Sequence, residues 1–458
     1  MAVRHAVSSV QECRLRLHGW ARSSGVKLFH LNETISWRFR GDFRPQAMEQ
    51  AVRKVVERHD TLTATYVIDG PDGEPIQILR PDVAPVLAYS DMRDGDEAAA
   101  RRMLSAESHE HLPLHEAPQV RGRIVRLGED DHVFTLLHPS LMMDHWGYEV
   151  FVRDLAAFYD AIVGGTEADL DDCLPFSQYA ELDHRCLRDG TWDPTIDYWR
   201  DQYQGESPLP ILHLPQLGDA GAGRIAGARL SGEVGAESVA ALRKAWSELS
   251  GEAITPYAFM LSVMVSLFSE RLDLDAVGIL VPAANRTDWE YHDTVGAFST
   301  ILAPRFRNVR DRSFVDLCKH VYETLLDSLE HQQVSYHEMM RRFDPSRYGQ
   351  PLRSPFCYFD YWIEDSRTAT TPTFGGLEPE PFALEKLPTE EEGVAMVFFD
   401  DGGPTIGYGV SYAQRYFTEE QARKLAREVE AIAVSAAADP YADVPTVVRN
   451  ALKAGGDL

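Results

Sequence analysis

Residues 136–147 read LLHPSLMMDHWG, and this stretch decides both the predicted fold and the candidate site. An apolar run predicts a buried strand over 132–137, and an amphipathic pattern predicts a helix over 148–161. Four polar side chains cluster between these elements: His138, Ser140, Asp144 and His145. Because α/β proteins expose side chains to a cleft where a strand passes into a helix, the cluster is a candidate functional site.

The residues alone leave three interpretations of this cluster open. A histidine held by a carboxylate could act as a general base for a nucleophile or for a bound amine. Two histidines and an aspartate could bind a metal ion, although no spacing places three ligands on one helical face. The polar side chains could also serve only to satisfy backbone groups of the turn.

Elements on either side of this stretch predict two α/β halves. In the first half, predicted helices alternate with predicted strands: a helix from Pro45, strands over 61–66 and 76–79, a helix over 96–110, and strands over 120–127 and 132–137. The second half repeats this order: helices over 238–249, 255–271 and 314–331, strands over 277–282, 298–306, 356–363, 394–399 and 405–411, and a last helix that opens with a capping box at Thr418–Gln421. We therefore predict an N-terminal half over 1–175, a linker over 176–230 and a C-terminal half over 231–458.

Composition and charge exclude several classes of partner. The 458 residues carry 71 acidic and 45 basic side chains, which gives a net charge of −26. Nucleic-acid binding and adhesion to an anionic membrane both need a basic surface, so neither is expected. No stretch approaches 18 consecutive apolar residues, and five scattered cysteines without a C-x-x-C pair favour a reduced, cytoplasmic location.

A series of segments, taken in order along the chain, carries a resemblance to a known family. They are residues 43–66 with VERHDTL at 56–62, LPLHEAPQVR at 112–121, DHW at 144–146 with Asp154, Leu155 and Tyr159, Tyr198–Trp199, residues 281–286, VGAF at 295–298 and RSPF at 353–356. Together they resemble the condensation domains of nonribosomal peptide synthetases, a branch of the chloramphenicol-acetyltransferase-like fold. The resemblance implies an α/β fold of two acetyltransferase-like halves, which form a V-shaped pseudo-dimer with a central tunnel and are joined by a crossover linker.

The candidate site departs from the family pattern at the motif itself. Family members carry His-His-x-x-x-Asp-Gly, and the second histidine is the proposed base or positioning group for the attacking amine. With Asp144 aligned to the motif aspartate, Pro139 and Ser140 replace the two histidines, and His145 replaces the glycine. The resemblance implies a retained structural pair between Asp144 and Arg286, since a buried carboxylate without its arginine would be costly.

The resemblance also assigns the tunnel and possible substitutes for the missing base. Trp146 follows the motif aspartate and Thr300 corresponds to the asparagine of a Val-Asn-Thr stretch, so both are expected in the tunnel. His138 or His145 could replace the missing histidine, and Ser140 could hydrogen-bond the nucleophile. Positioning alone can supply much of the rate of such a reaction.

Three functions follow from the resemblance, and the sequence does not separate them. A free-standing condensation enzyme would join an acyl group, carried as a thioester on a peptidyl or acyl carrier protein in trans, to a small-molecule amine or alcohol. A non-catalytic module would recruit a haem monooxygenase or another tailoring enzyme to a carrier-bound peptide. A repurposed fold would perform other chemistry, such as cyclisation or dehydration. No metal or nucleotide cofactor is expected, and the phosphopantetheine arm would belong to the carrier.

A carrier protein would have to dock against the negative field of this chain. Carrier proteins are usually acidic, so docking requires a local basic patch. The sequence predicts one at Arg341 and Arg342, with Arg347 and Arg353 nearby.

Overall fold

The computed structural model divides into two compact units. It describes residues 3–24, 32–70, 73–93, 96–110, 112–203, 227–252, 254–345, 348, 356–363, 372–385 and 393–454. The first unit comprises Met1–Thr191, Ala284–Ser299 and Thr370–Leu387; the second comprises Trp192–Ala283, Thr300–Ala369 and Pro388–Leu458. Two segments of the predicted C-terminal half thus pack within the first unit, and the predicted linker contributes to both units, with 204–226 outside the described residues.

The first unit is built around a five-stranded sheet. The strands of this unit are β1 (Val3–Ala6), β2 (Asn32–Arg40), β3 (Ala64–Val67), β4 (Ile76–Leu79), β5 (Val86–Asp91), β6 (Arg121–Gly128), β7 (Asp131–Pro139) and β14 (Glu380–Pro381). Its helices are α1 (Ser9–Ser24), α2 (Pro45–Arg58), α3 (Glu97–Ser108), α4 (His145–Gly164) and α5 (Phe176–Asp189). The main sheet has the order β14-β2-β7-β6-β5, and a small sheet has the order β1-β4-β3.

Strand β7 lies in the middle of the main sheet and is buried on both faces. It pairs antiparallel with β2 and with β6. Phe134 and Leu136 belong to the core that α2 and α4 cover, whereas Val133 packs on the opposite face with Leu104 of α3. Burial on both faces explains why β7 reads as a continuous apolar run instead of an alternating one. The strand therefore fixes the position at which the loop of residues 140–144 begins.

The second unit contains a four-stranded sheet with helices packed on it. The strands of this unit are β8 (Gly227–Val234), β9 (Ala276–Gly278), β10 (Val281–Ala283), β11 (Thr300–Leu302), β12 (Arg305–Arg307), β13 (Cys357–Ile363), β15 (Val394–Asp400) and β16 (Ile406–Ala413). Its helices are α6 (Asp193–Tyr203), α7 (Ala236–Glu248), α8 (Pro256–Leu272), α9 (Phe314–Glu330), α10 (Tyr336–Phe343), α11 (Glu419–Ala438) and α12 (Val444–Ala454). The sheet order is β13-β15-β16-β8, and β13 and β15 are parallel. Helix α8 is almost entirely buried, which places it at the centre of this unit.

Several sequence predictions change in detail. The strand predicted from Thr61 begins at Ala64, because residues Asp60–Thr63 form a 3₁₀ turn. The strands predicted over 277–282 and 298–306 each divide into two short strands. The capping box is confirmed, since the Thr418 side chain and the Gln421 side chain each accept a hydrogen bond from the other residue's backbone N–H.

Within the described part of the chain, none of the helices has the length and the apolar character needed to cross a bilayer.

Candidate active site

The loop between β7 and α4 ends at Asp144, which is the N-cap residue of α4. Asp144 has extended backbone angles, and its Oδ1 accepts a hydrogen bond from the backbone N–H of Gly147 at 2.7 Å. Aspartate is among the preferred N-cap residues because its carboxylate satisfies backbone donors that the helix leaves open. The first turn of α4 therefore holds the carboxylate at a defined position.

The carboxylate of Asp144 also ties down a segment that is distant in sequence. Its Oδ1 accepts from Arg286 Nη2 at 3.1 Å, and its Oδ2 accepts from the backbone N–H groups of Phe298 at 3.0 Å and Ser299 at 2.8 Å. The Ser299 hydroxyl donates to the same Oδ2 at 2.9 Å, and Asp144 N donates to Gly296 O at 3.0 Å. Both oxygens thus accept several hydrogen bonds, which anchor the segment 296–299 and Arg286 to Asp144, and a catalytic role of Asp144 stays a prediction.

Arg286 is the buried counter-ion of this anchor. Its Nη1 donates to the carbonyls of Tyr291 at 2.7 Å and Thr294 at 2.9 Å, and its guanidinium lies 4.0 Å from the centre of the Phe298 ring. Burial lowers the pKa of Arg286, and the charge of Asp144 opposes this shift. The Asp144–Arg286 pair thus fixes the conformation of residues 286–299.

A second buried pair holds the same segment from another side. His59 Nε2 lies 2.9 Å from Asp154 Oδ2, which also accepts from Arg58 Nε at 2.8 Å. Val295 N donates to His59 Nδ1 at 3.4 Å, so Nδ1 is the acceptor and Nε2 carries the proton that Asp154 receives. Burial lowers the pKa of His59, which favours this neutral form. In the sequence these residues stand out only within segments that resemble the family, although an aspartate on the buried face of α4 is itself a sign that a partner is needed.

The two histidines near the motif lie in contrasting environments. His138 is buried on β7, its Nδ1 is 3.0 Å from Pro139 O, and burial lowers its pKa to about 4. His145 is exposed on α4, and its Nε2 is 3.4 Å from Glu149 Oε1. At neutral pH His138 is therefore uncharged and a weak base, whereas His145 faces solvent. Their role as substitutes for the motif histidine stays a prediction.

Ser140, at the position of the second motif histidine, lies beside a cation that sequence analysis missed. Arg14 of α1 donates from Nη1 to Ser140 O at 2.7 Å. The Ser140 hydroxyl makes no hydrogen bond to any residue in the described ranges, and the side chain is partly exposed. Only the contact between α1 and this loop reveals Arg14, so the sequence held no local signal for it.

The two residues assigned to the tunnel lie in different units. Trp146, in the first unit, is 41 % exposed and donates from Nε1 to His292 O at 3.0 Å. Thr300, in the second unit, is buried at the start of β11, where it pairs with Ala283 of β10. Its Oγ1 is buried without a hydrogen-bond partner among the described residues.

The predicted basic patch is partly neutralised. Arg341 Nε and Arg342 Nε donate to the two oxygens of Glu338, at 2.6 Å and 2.5 Å. Glu338 is buried in α10, so the two cations share one carboxylate. Arg347 and Arg353, the other members of the predicted patch, lie outside the described residues.

No metal site emerges among the residues that the structure describes, where no three His, Cys, Asp or Glu side chains are grouped to hold an ion. A cavity of about 320 Å³ lies in the second unit between α6, β12 and α9. Its lining mixes charges, with Asp201, Arg305, Arg307 and Asp327 among the contributing residues. None of the motif residues lines it, so it is separate from the candidate site.

Comparison with known proteins bears on this geometry. A model of the condensation-domain family matches residues 5–448. Phosphinothricin tripeptide synthetase PhsC of Streptomyces viridochromogenes is 28% identical over 433 residues, which cover 92% of this chain and 39% of that protein. The chain thus spans well under half the length of this relative, and a still smaller share of several others, such as 6% of bacitracin synthase 3 of Bacillus licheniformis.

Two solved structures share the fold. A four-domain nonribosomal peptide synthetase bound to AMP and glycine superposes with a TM-score of 0.80 at 17% identity, covering 96% of this chain and 33% of that one. The complex of the X-domain and OxyB from teicoplanin biosynthesis superposes with a TM-score of 0.78 at 19% identity, covering 97% and 95%. At these identities the likeness supports the fold alone.

Proposed function

The chain belongs to the condensation-domain family, and from this premise we propose that it is an acyltransferase of nonribosomal peptide or natural-product biosynthesis. It joins an acyl group to a small-molecule amine or alcohol in the cytoplasm. The acyl group arrives as a thioester on the phosphopantetheine arm of a carrier protein in trans, and the chain itself needs no further cofactor. The V-shaped arrangement around a central tunnel stays a prediction.

The observation that carries this proposal is a complete set of hydrogen bonds beside position 140. We call Asp144 and the groups that donate to it the frame. Asp144 accepts from Gly147, Arg286, Phe298 and Ser299, and none of these donors is a motif histidine. The frame therefore survives the replacement of both histidines and still presents the Ser140 hydroxyl. A fold that holds a polar group in place can still catalyse by positioning.

The reaction does not require a strong protein base. The uncharged amine attacks the thioester carbonyl carbon, the new C–N bond forms and the C–S bond breaks as the tetrahedral intermediate collapses. The amine loses one proton, and the pantetheine thiolate gains one when it leaves. In this proposal Ser140 Oγ accepts a hydrogen bond from the attacking amine and helps by orientation, since a serine without an adjacent base is a poor nucleophile.

The test is acyl transfer from loaded carrier proteins, followed by intact-mass measurement of the carrier and mass spectrometry of the product. With a panel of acyl-loaded carriers, free amines and alcohols, the wild type should form an amide or an ester with at least one pair. Ser140→Ala should lower kcat/KM about tenfold, the worth of one positioning hydrogen bond. His145→Ala tests whether this exposed histidine of α4 replaces the motif base, and an unchanged rate would exclude that role. Absence of product with every pair would contradict the proposal.

A second candidate function is recruitment of a tailoring enzyme. It is favoured by the fold shared with the X-domain that was solved together with OxyB and by the missing motif histidines. In that case the chain would form no amide, but it would co-elute with a haem monooxygenase during size-exclusion chromatography. Other chemistry, such as cyclisation or dehydration, would instead change the mass of the loaded carrier without adding an amine.

A further inference from the structure

The guanidinium of Arg14 has more hydrogen-bond donors than the protein uses. An arginine presents five N–H groups in a planar fork. Among the described residues, this side chain makes one hydrogen bond, from Nη1 to Ser140 O, and Nε and Nη2 make none. The side chain still reaches solvent, although the protein surrounds it closely enough that burial lowers its pKa. A ligand can therefore approach donors that are already held in place.

Arg14 also lacks a carboxylate of its own. No oxygen of a described acidic residue lies within 4 Å of its nitrogens. The charges that favour its protonated form, Asp144 and Glu33, act at longer range. Asp144 is committed to Arg286 and to the backbone of residues 298–299. A poorly hydrated cation without a counter-ion costs free energy, and a bound carboxylate would offset that cost.

We propose that Arg14 binds a carboxylate of the acceptor substrate, so that the acceptor is a free amine with a nearby carboxylate, such as an untethered α-amino acid. This inference rests on the proposed acyl transfer. An amino acid held on a carrier has converted its α-carboxyl group to a thioester, so a free α-carboxylate identifies an acceptor that is not carrier-bound. Guanidinium and carboxylate match in a two-point hydrogen-bonded geometry.

The location of Arg14 assigns the carboxylate to the acceptor. The guanidinium touches the backbone of Ser140, whose hydroxyl is proposed to orient the attacking amine. In an α-amino acid the amine and the carboxylate are attached to the same carbon, so both groups fit one small site. The phosphate of the carrier arm is separated from the thioester by the length of the arm, and it does not reach a cation beside the reacting atoms.

The primary test measures binding and does not depend on turnover. The free L-amino acids and their carboxamides are compared by equilibrium dialysis against wild type and Arg14→Gln. A charge-assisted pair contributes about 1.5–3 kcal/mol, so we expect at least one amino acid to bind ten- to a hundredfold tighter than its carboxamide. Arg14→Gln should remove that difference. Equal binding of every acid and its amide to wild type would overturn the inference.

Two further variants exclude a general loss of structure. Arg16 lies on the same helix but pairs with Glu12 and Glu74, so Arg16→Gln should keep the preference for the acid. Arg14→Lys keeps the charge without the planar fork and should retain part of the preference for the acid. If Arg14→Lys and Arg16→Gln weaken the preference equally, the carboxylate site does not exist.

Kinetics separate a carboxylate site from a group that stabilises the oxyanion of the tetrahedral intermediate. For a carboxylate site, Arg14→Gln raises KM for the amino acid about tenfold or more and leaves KM and kcat for the carboxamide unchanged. A fall of kcat that is equal for both acceptors would assign Arg14 to the oxyanion and would overturn the inference. If no acyl transfer occurs with any acceptor, the proposed function fails while the dialysis result still decides the role of Arg14.

Discussion

Replacement of Asp144 by asparagine tests whether this residue is the anchor of the candidate site. Asparagine has nearly the same shape, but one of its two terminal groups is an NH₂ donor. In one orientation the NH₂ faces Gly147 N and Arg286 Nη2, and in the other it faces the Phe298 and Ser299 donors. Either orientation sets a donor against at least two donors and leaves Arg286 buried without its counter-ion.

The expected cost is large enough to measure by thermal unfolding. Removing one partner of a buried ion pair costs about 3–5 kcal/mol, and for a folding unit of 150–250 residues each kcal/mol lowers Tm by about 2–4 °C. We therefore expect Asp144→Asn to lower the Tm of the first unit by about 6–20 °C and to speed hydrogen exchange at Phe298 and Ser299. The control is Asp293→Asn, which removes a partly exposed partner of Arg153 and should cost no more than about 1 kcal/mol. A shift of Asp144→Asn no larger than that of the control would refute the anchor role.

Two further variants test other buried groups. Burial lowers the pKa of His138 from 6.5 to about 4, so the unfolded chain binds its proton more tightly than the folded protein does. Stability should therefore fall as the pH drops from about 6.5 toward 4, by about 3 kcal/mol through this group; His138→Gln should flatten this part of a denaturation-versus-pH curve, and an unchanged curve would contradict the assignment. Glu338→Gln removes the carboxylate that Arg341 and Arg342 share; because both arginines are partly exposed and water can solvate them, it should destabilise the second unit by only about 1–2 kcal/mol in urea unfolding. The exposed control Glu330→Gln should have little effect, and equal midpoints for the two variants would contradict the role of Glu338.

The parts of the fold that the sequence predicts are those with strong local periodicity. Helix α2 shows apolar residues at three- and four-residue spacing, and the structure buries them. Strand β2 carries a comparable signal, because Ile35, Trp37 and Phe39 alternate with polar residues, although it is absent from the predicted elements. Strand β14 had no local signal, since Glu380–Pro381 is ordered by pairing with β2 across more than 300 residues. Pairings of this kind depend on the tertiary structure and not on local propensity.

The candidate site was predictable only where a family motif marks it. Asp144 and Arg286 are 142 residues apart, and resemblance alone suggested their contact. His59 contacts Val295, which is 236 residues away in sequence, and Arg14 contacts Ser140, which is 126 residues away. The burial of His138 could not be predicted from the local sequence either, because it depends on the strands that pair with β7 on both sides.

The geometry of the loop explains how this chain could lose both motif histidines and keep its fold. The Asp144 anchor depends on backbone donors, Arg286 and Ser299, and on no side chain at positions 139 or 140. Substitution at those positions therefore changes the chemistry offered to a substrate without releasing the segment 294–299. What replaces the base must then come from groups that already face the loop, and there the structure offers a hydroxyl and a cation, Ser140 and Arg14. In the proposed mechanism both groups orient the substrate and neither removes its proton, so an amine acceptor has to reach the thioester uncharged.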